Sequence, residues 1–227
     1  MNIYSNCGIC IGASSVSAVC LEPNNNNILK IVYSFSIPHN GNPQSIVKSL
    51  LESNQYNKVT STGRNFKDIL NTPSISEAES IEYALQFLKL KPEVVISAGA
   101  ENFIIYILDK NYKISKVVTG NKCASGTGEF FVQQLKRMDI KLEETAGLVS
   151  NGTPYNISGR CSVFCKSDCT HALNKGVNKA DIVSGLSKMM ADKIINLIPR
   201  YKEKSILLIG NTIKNEGFVT HLKNRLP

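Results

Sequence analysis

The cysteines of the second half carry the most unusual spacing in this chain. Ser158-Gly-Arg-Cys-Ser-Val-Phe-Cys-Lys-Ser-Asp-Cys-Thr-His171 places Cys161, Cys165 and Cys169 at i, i+4 and i+8. A helix would stack those sulfurs along one face. Thiols so placed either pack as small apolar groups or hold a metal. Upstream, Gly120-Asn-Lys-Cys-Ala-Ser-Gly-Thr-Gly128 follows an apolar strand and opens a helix. Small residues let backbone N–H groups approach an anion there, and the helix dipole favours negative charge. Gly126, Thr127 and Gly128 are the candidate phosphate contacts of that loop; the other reading is a glycine-rich corner. Cys123 stands at the helix start, where the dipole favours the metal-binding thiolate. The spacings match neither a Walker A loop nor a Rossmann fingerprint, and neither a zinc finger nor a ferredoxin run. Zinc held by Cys123, Cys161, Cys165 and either Cys169 or His171 is one open reading.

Further turns of small residues recur along the chain. Gly12-Ala13-Ser14-Ser15 follows the apolar run Cys7-Gly-Ile-Cys-Ile, and Gly99-Ala100-Glu101-Asn102 follows Val94–Ala98. Each reads as a tight turn between two strands, with the backbone from Gly12 to Ser15 and from Gly99 to Glu101 as candidate phosphate contacts. Ile11-Gly12-Ala13 and Ala98-Gly99-Ala100 therefore occupy equivalent places in two strand–turn–strand units. Gly210-Asn211, with Asn215 after it, forms another turn between a buried strand and a helix, where an ordinary strand-to-helix turn would look the same.

The elements that must position these turns are legible from period and punctuation. Strands are expected at Cys7–Ile11, Val16–Leu21 and Ile28–Phe35, and a short one at Val59–Thr62. Pro43 starts a helix ending near Ser53. Ser76 with Glu79 is a capping box opening a helix to about Leu88. After Lys91-Pro92 the pattern restarts, with strands at Val94–Ala98, Phe103–Leu108 and a third ending near Val118. Helices follow at Thr127–Met138, Lys166–Asn174 and, capped by Asn178, over Ala180–Ile198. Ser205–Ile209 reads as a buried strand, and a last helix starts near Asn215. This predicts an α/β chain of two lobes, 1–91 and 92–227, able to hold a ligand between their turns.

Composition narrows the function classes. Hydrophobic residues make up 42% and charged ones 19% of 227 residues, a globular balance. The net charge of +8 is spread without a run of like charges, and there is no Trp. Nucleic acid is therefore not expected; nucleotide phosphate or an acidic partner would suit the charge equally well. No segment reads as a signal peptide or membrane span, so the expectation is a cytoplasmic protein with no membrane contact. Seven cysteines, an odd number, argue against a disulfide framework. Cys7, Cys10 and Cys20 are expected to be small buried hydrophobes in the first strands.

These stretches resemble the BadF/BadG/BcrA/BcrD ATPase family, the activators of 2-hydroxyacyl-CoA dehydratases and related benzoyl-CoA reductase subunits. The resemblance spans nearly the whole chain. Its most specific parts are Asn121-Lys-Cys-Ala-Ser-Gly-Thr-Gly-Glu-Phe-Phe131 and Cys161-Ser-Val-Phe-Cys-Lys-Ser-Asp168, worded most like the activase domain of large, multi-domain members. It implies the ribonuclease H-like actin/Hsp70/sugar-kinase fold, binding ATP or ADP with Mg2+ between two lobes. It also implies a [4Fe-4S] cluster shared across a homodimer, one cysteine coming from each of two loops; the matching positions are Cys123 and Cys161. Two thiolates per chain across a two-fold axis complete the four-thiolate set of a cubane. Cys165 and Cys169 add to the dehydratase-activator pattern and would be additional ligands. Lys122 and Arg160 either offset cluster or phosphate charge or are solvated surface. The implied activity is ATP turnover coupled to passing one electron to a dehydratase, with ferredoxin or flavodoxin as donor.

The chain departs from the family at its turns. Cys10 stands where the first phosphate turn usually carries Asp, and Ser97-Ala-Gly-Ala-Glu-Asn102 replaces Asp-x-Gly-Gly-Gln-Asp. Glu101 is the carboxylate left at the turn, hence the candidate catalytic residue, and Gly210-Asn211 replaces the adenosine-side Gly-Gly pair. The family's closing helix is expected to be missing after Pro227. Two readings follow. One is an ATP-driven electron donor; the other is a degenerate, non-hydrolysing domain of a larger activase that senses nucleotide or serves assembly. A carbohydrate or acyl kinase ranks third, since no candidate catalytic Asp stands in the turns.

Overall fold

Strand β1 (Asn2–Ile11) shows how period two builds the first core: Cys7, Ile9 and Ile11 are buried, while Gly8 and Cys10 between them are exposed. Cys10 is therefore not the buried hydrophobe expected, because its parity in the strand opposes that of Cys7. The computed structural model describes residues 2–63, 69–120 and 123–226. It divides into two units, Met1–Lys89 and Leu90–Pro227.

In the first unit β2 (Ser15–Pro23) pairs antiparallel with β1, and β3 (Leu29–Pro38) antiparallel with β2. Helix α1 (Pro43–Ser53) then crosses over to β4 (Asn54–Gly63), which lies parallel to β1, giving the order β3-β2-β1-β4. A parallel pair needs such a crossover. Its core joins Cys7, Ile9, Ile11, Val16, Ala18 and Cys20 to Val47 and Leu50 of α1. β4 begins at Asn54, five residues before the strand expected at Val59. Its first half is polar apart from Tyr56, which packs against the core, and contributes mainly backbone pairing, so hydropathy does not mark it. Helix α2 (Glu77–Leu88) opens on the expected capping box: the Glu79 N–H donates to Ser76 Oγ at 3.1 Å, and the Ser76 N–H to the Glu79 carboxylate at 2.8 Å.

The second unit repeats the strand order. β5 (Val94–Ala98) is antiparallel to β6 (Phe103–Leu108), which is antiparallel to β7 (Ile114–Thr119). β8 (Ile206–Ile209) returns parallel to β5, so the order is β7-β6-β5-β8. Between β7 and β8 come α3 (Gly128–Arg137), α4 (Thr145–Asn151), α5 (Ser162–Asn174) and α6 (Lys179–Leu197); α7 (Glu216–Lys223) follows β8. Helix α6 runs through the core, with Ile182, Val183, Leu186, Met190 and Ile194 all buried. Sequence periodicity misses α4 and starts α5 four residues late. The first turn of α5 points Val163 and Phe164 outward, 70% and 64% exposed, which breaks the amphipathic pattern.

Candidate functional site

The turns that end β1 and β5 are built alike. The Gly12 N–H donates to Ser15 O at 2.9 Å, and the Gly99 N–H to Asn102 O at 3.0 Å. The parallel neighbour of each strand ends in glycine at positive φ: Gly63 at +135° and Gly210 at +94°. A Cβ on Gly63 would overlap the Ile11 carbonyl oxygen and lie 3.0 Å from its carbon; one on Gly210 would overlap the Ala98 carbonyl oxygen, 2.8 Å from its carbon. Gly210 thus serves close backbone packing. Asn215 is buried, and its Oδ1 accepts the Phe218 N–H at 3.1 Å as the cap of α7, whereas Asn211 is exposed.

His39 braces the first turn and was not singled out in the sequence. The Gly41 N–H donates to its Nδ1 at 3.0 Å, which leaves Nε2 to carry the proton and donate to Gly12 O at 3.2 Å. The His39 N–H donates to Ser14 O at 3.0 Å. Nothing in Pro38-His39-Asn40 signals this, since the contact spans 27 positions.

The second turn is tied to the start of α3. Gly99 O accepts the Gly128 N–H at 3.3 Å and the Thr212 hydroxyl at 2.9 Å, and Ala100 O accepts the Glu129 N–H at 3.0 Å. Thr127 caps α3 by accepting the Phe130 N–H, while its own N–H donates to Ala124 O at 3.0 Å. The amides of Gly12, Gly99, Thr127 and Gly128 are therefore spent within the fold. Among the described residues no backbone hydrogen bond takes up the amides of Ala13, Ser14, Ala100, Glu101 or Gly126. Those are the donors each unit can offer an anion. Glu101 is exposed at the tip of its turn.

The cysteine segments meet inside the second unit. The Ser125 hydroxyl lies 3.2 Å from Cys123 Sγ, with the Ser125 and Ser162 backbone amides near the same sulfur. These contacts, the hydroxyl foremost, with Lys193 nearby, hold the Cys123 thiol below its ordinary value. Ser162 is the first residue of α5 and Cys161 its N-cap, without a side-chain capping bond of its own. The Ser125 hydroxyl also reaches Gly159 O at 3.2 Å, two residues before Cys161, so it links the two cysteine segments, and both cysteines are half-buried. The Asp168 carboxylate accepts the Ser158 N–H at 2.8 Å, fixing the approach to Cys161. A cavity of about 310 Å³ opens here, lined in part by Asn102, Cys123, Ser125, Gly159, Lys193 and Asn196.

Cys165 and Cys169 are placed differently. Both are buried in the core, with Ala172 on the same face of α5. The hydrogen bond to Cys169, then burial, push the Cys165 thiol up. Among the described residues no group of three or more His, Cys, Asp or Glu is placed to hold a metal. The single-chain zinc set is therefore not assembled: α5 turns Cys165 and Cys169 into the core, whereas Cys161 sits outside the helix in extended backbone. His171 and Arg160 are exposed, and Lys122 lies outside the described residues.

Ser125, Lys193 and Asp168 complete this site. Lys193 carried the legible signal: it lies four residues after Met189 and seven after Leu186, on the buried stripe of α6, where a charge is out of place.

The BadF/BadG/BcrA/BcrD ATPase family profile matches residues 7–227. The chain is 28% identical over 221 residues to the activator of lactoyl-CoA dehydratase from Anaerotignum propionicum, covering 93% of this chain and 85% of that one. It is 25% identical over 226 residues to the (R)-2-hydroxyglutaryl-CoA dehydratase activating ATPase from Acidaminococcus fermentans, covering 96% and 86%. The solved activator of the 2-hydroxyisocaproyl-CoA dehydratase from Clostridium difficile, with bound ADPNP, superposes with a TM-score of 0.84 at 23% identity, over 97% of this chain and 85% of that chain. At that identity the likeness carries the fold, which is the expected actin-like ATPase and sugar-kinase fold. Among the described residues no helix is long and apolar enough to cross a membrane.

Proposed function

The chain belongs to the BadF/BadG/BcrA/BcrD ATPase family, and we propose that it is an ATP-binding activator that passes an electron to a 2-hydroxyacyl-CoA dehydratase or a related CoA-thioester reductase. The observation that carries this reading is the single Ser125 hydroxyl that reaches both Cys123 Sγ and Gly159 O, two residues before Cys161. Two cysteines gathered beside a lysine, with Cys165 and Cys169 turned away, form half of a four-thiolate set. A second copy of the chain would supply the other half.

In this reading Cys123 and Cys161 hold a [4Fe-4S] cluster, which when bound supplies a one-electron store. The chain's own part is to present the sulfurs. The Ser125 hydroxyl and the Ser125 and Ser162 amides stabilise the Cys123 thiolate, and the α5 dipole adds to that. The amides of Ala13 and Ser14 in one unit, and of Ala100, Glu101 and Gly126 in the other, are read as phosphate donors for ATP with Mg2+. Gly12, Gly99, Gly128 and Gly210 shape the turns rather than donate. A ferredoxin or flavodoxin would recharge the protein, and a reducing cytoplasm suits its thiols.

A second reading keeps nucleotide binding without hydrolysis, for sensing or assembly. It rests on Cys10, Ser97 and Asn102, which stand at the turns where carboxylates would hold Mg2+ or orient water; Glu101 alone remains there.

Anaerobic purification with iron and sulfide analysis, followed by calorimetry with ATP and phosphate-release assays, tests both. The activator reading expects a brown protein with one four-iron cluster per two chains and phosphate release with the partner present. Iron-free protein prepared anaerobically would sink it. Tight ATP binding with no phosphate release would select the second reading.

A further inference from the structure

We propose that Lys193 is a positioning residue for the cysteine pair: through Ser125 it clamps the Cys123 segment to the Gly159–Cys161 segment and gives the paired sulfurs a fixed positive neighbour. This rests on Cys123 and Cys161 being the ligands of the preceding section. Ser125, 1% exposed, is the hub. Its hydroxyl lies 3.2 Å from both Cys123 Sγ and Gly159 O, giving its one proton to Gly159 O when Cys123 is a thiol and to the sulfur when it is a thiolate, and it accepts from Lys193 Nζ at 2.7 Å. Lys193 Nζ also donates to the Ser125 carbonyl. One buried hydroxyl thus joins a cysteine, the backbone two residues before the other cysteine, and an ammonium reaching in from α6.

The lysine's path is built for it. Gly126, at φ +98°, leaves room where a Cβ would lie 2.6 Å from Lys193 Cδ, and a Cβ on Gly159 would lie 3.5 Å from Lys193 Cε. Its counter-charges are unusual. Asp192 beside it is taken by Lys188 at 2.8 Å and by Arg225, and among the described residues no carboxylate pairs with Lys193. Cys123 and Cys161 are groups near it able to carry negative charge, whereas the Cys165 thiol, pushed up, stays neutral. Half-burying an ammonium without a carboxylate is costly, and negative charge held by the cysteine pair would offset that cost.

The experiment uses Lys193→Met, Ser125→Ala and, as a control on the same helix, Lys188→Met. Metal-free, reduced protein is treated with dibromobimane, which bridges two thiols only when they are close, and the Cys123–Cys161 bridged peptide is quantified by mass spectrometry. The bridged yield should fall several-fold in Lys193→Met and Ser125→Ala and hold in Lys188→Met. Wild-type yield in both folded variants, or an equal fall in Lys188→Met, overturns the clamp. If Lys193→Met does not fold, Ser125→Ala decides. In anaerobically reconstituted protein, Lys193→Met should also lower the reduction potential, because a fixed positive charge favours the reduced state; an unchanged potential overturns the role of the charge. Protein that takes up no iron refutes the preceding reading, while bridging of the metal-free protein still judges the clamp.

Discussion

Gly210 stands against Ala98 so closely that a methyl group there would lie 2.8 Å from the Ala98 carbonyl carbon, with the carbonyl oxygen closer still. Gly63 stands in the same relation to Ile11. Gly63 ends, and Gly210 follows, the parallel partner of the strand that runs into a small-residue turn. The two units therefore repeat a construction, not merely a strand order.

Gly210→Ala and Gly63→Ala should each cost about 2 kcal/mol or more, combining a positive φ that only glycine tolerates with a backbone clash. Gly41→Ala is the control, since Gly41 has φ +86° but no atom within 4 Å of its would-be Cβ. Urea denaturation should rank Gly41→Ala as the mildest of the three.

A Cβ on Gly128 would overlap the Thr212 hydroxyl and lie 3.2 Å from Gly99 O. Gly128→Ala should destabilise by about 1 to 3 kcal/mol. Thr212→Ala alone should cost about 1 kcal/mol for its lost hydrogen bond to Gly99 O. The double variant should cost less than the sum, because removing the hydroxyl makes room for the methyl. Strict additivity in a denaturant double-mutant cycle would count against the contact.

The four cysteines of the second unit should separate into two pairs. Cys123→Ser and Cys161→Ser should each lose the iron of anaerobically prepared protein at little cost in apoprotein stability. Cys165→Ala and Cys169→Ala should keep it and lose about 1 kcal/mol each from the core. Iron content beside thermal melting distinguishes the pairs.

Burial, with the Lys188 ammonium adding to it, holds His221 below the usual histidine value. The unfolded chain then binds the proton more tightly than the folded one. Stability is therefore fully present above the unfolded value, about 6.5, and is lost as the pH falls through the folded one. Ser184 Oγ lies 3.3 Å from His221 Nε2. His221→Gln should flatten that part of the acid-side decline in urea midpoints; an unchanged slope would refute the assignment.

Features that depend on neighbours a few residues away can be read directly from the chain. Period two marks Val16, Ala18 and Cys20, Pro43 opens α1, and Ser76 with Glu79 closes a capping box. The equivalence of the Gly12 and Gly99 turns comes from types and spacing, whereas the pairing of Cys123 with Cys161 as candidates is what the family resemblance implies. Folding decided what depends on distant segments returning. Ser125 meets Lys193 across 68 positions and Gly99 meets Thr212 across 113, so no local pattern announces them. The same return committed the Gly128 amide to Gly99 O and turned Cys165 and Cys169 into the core. A hydrogen-bond donor can be spent only once, and a side chain's face is set by the strand or helix that carries it.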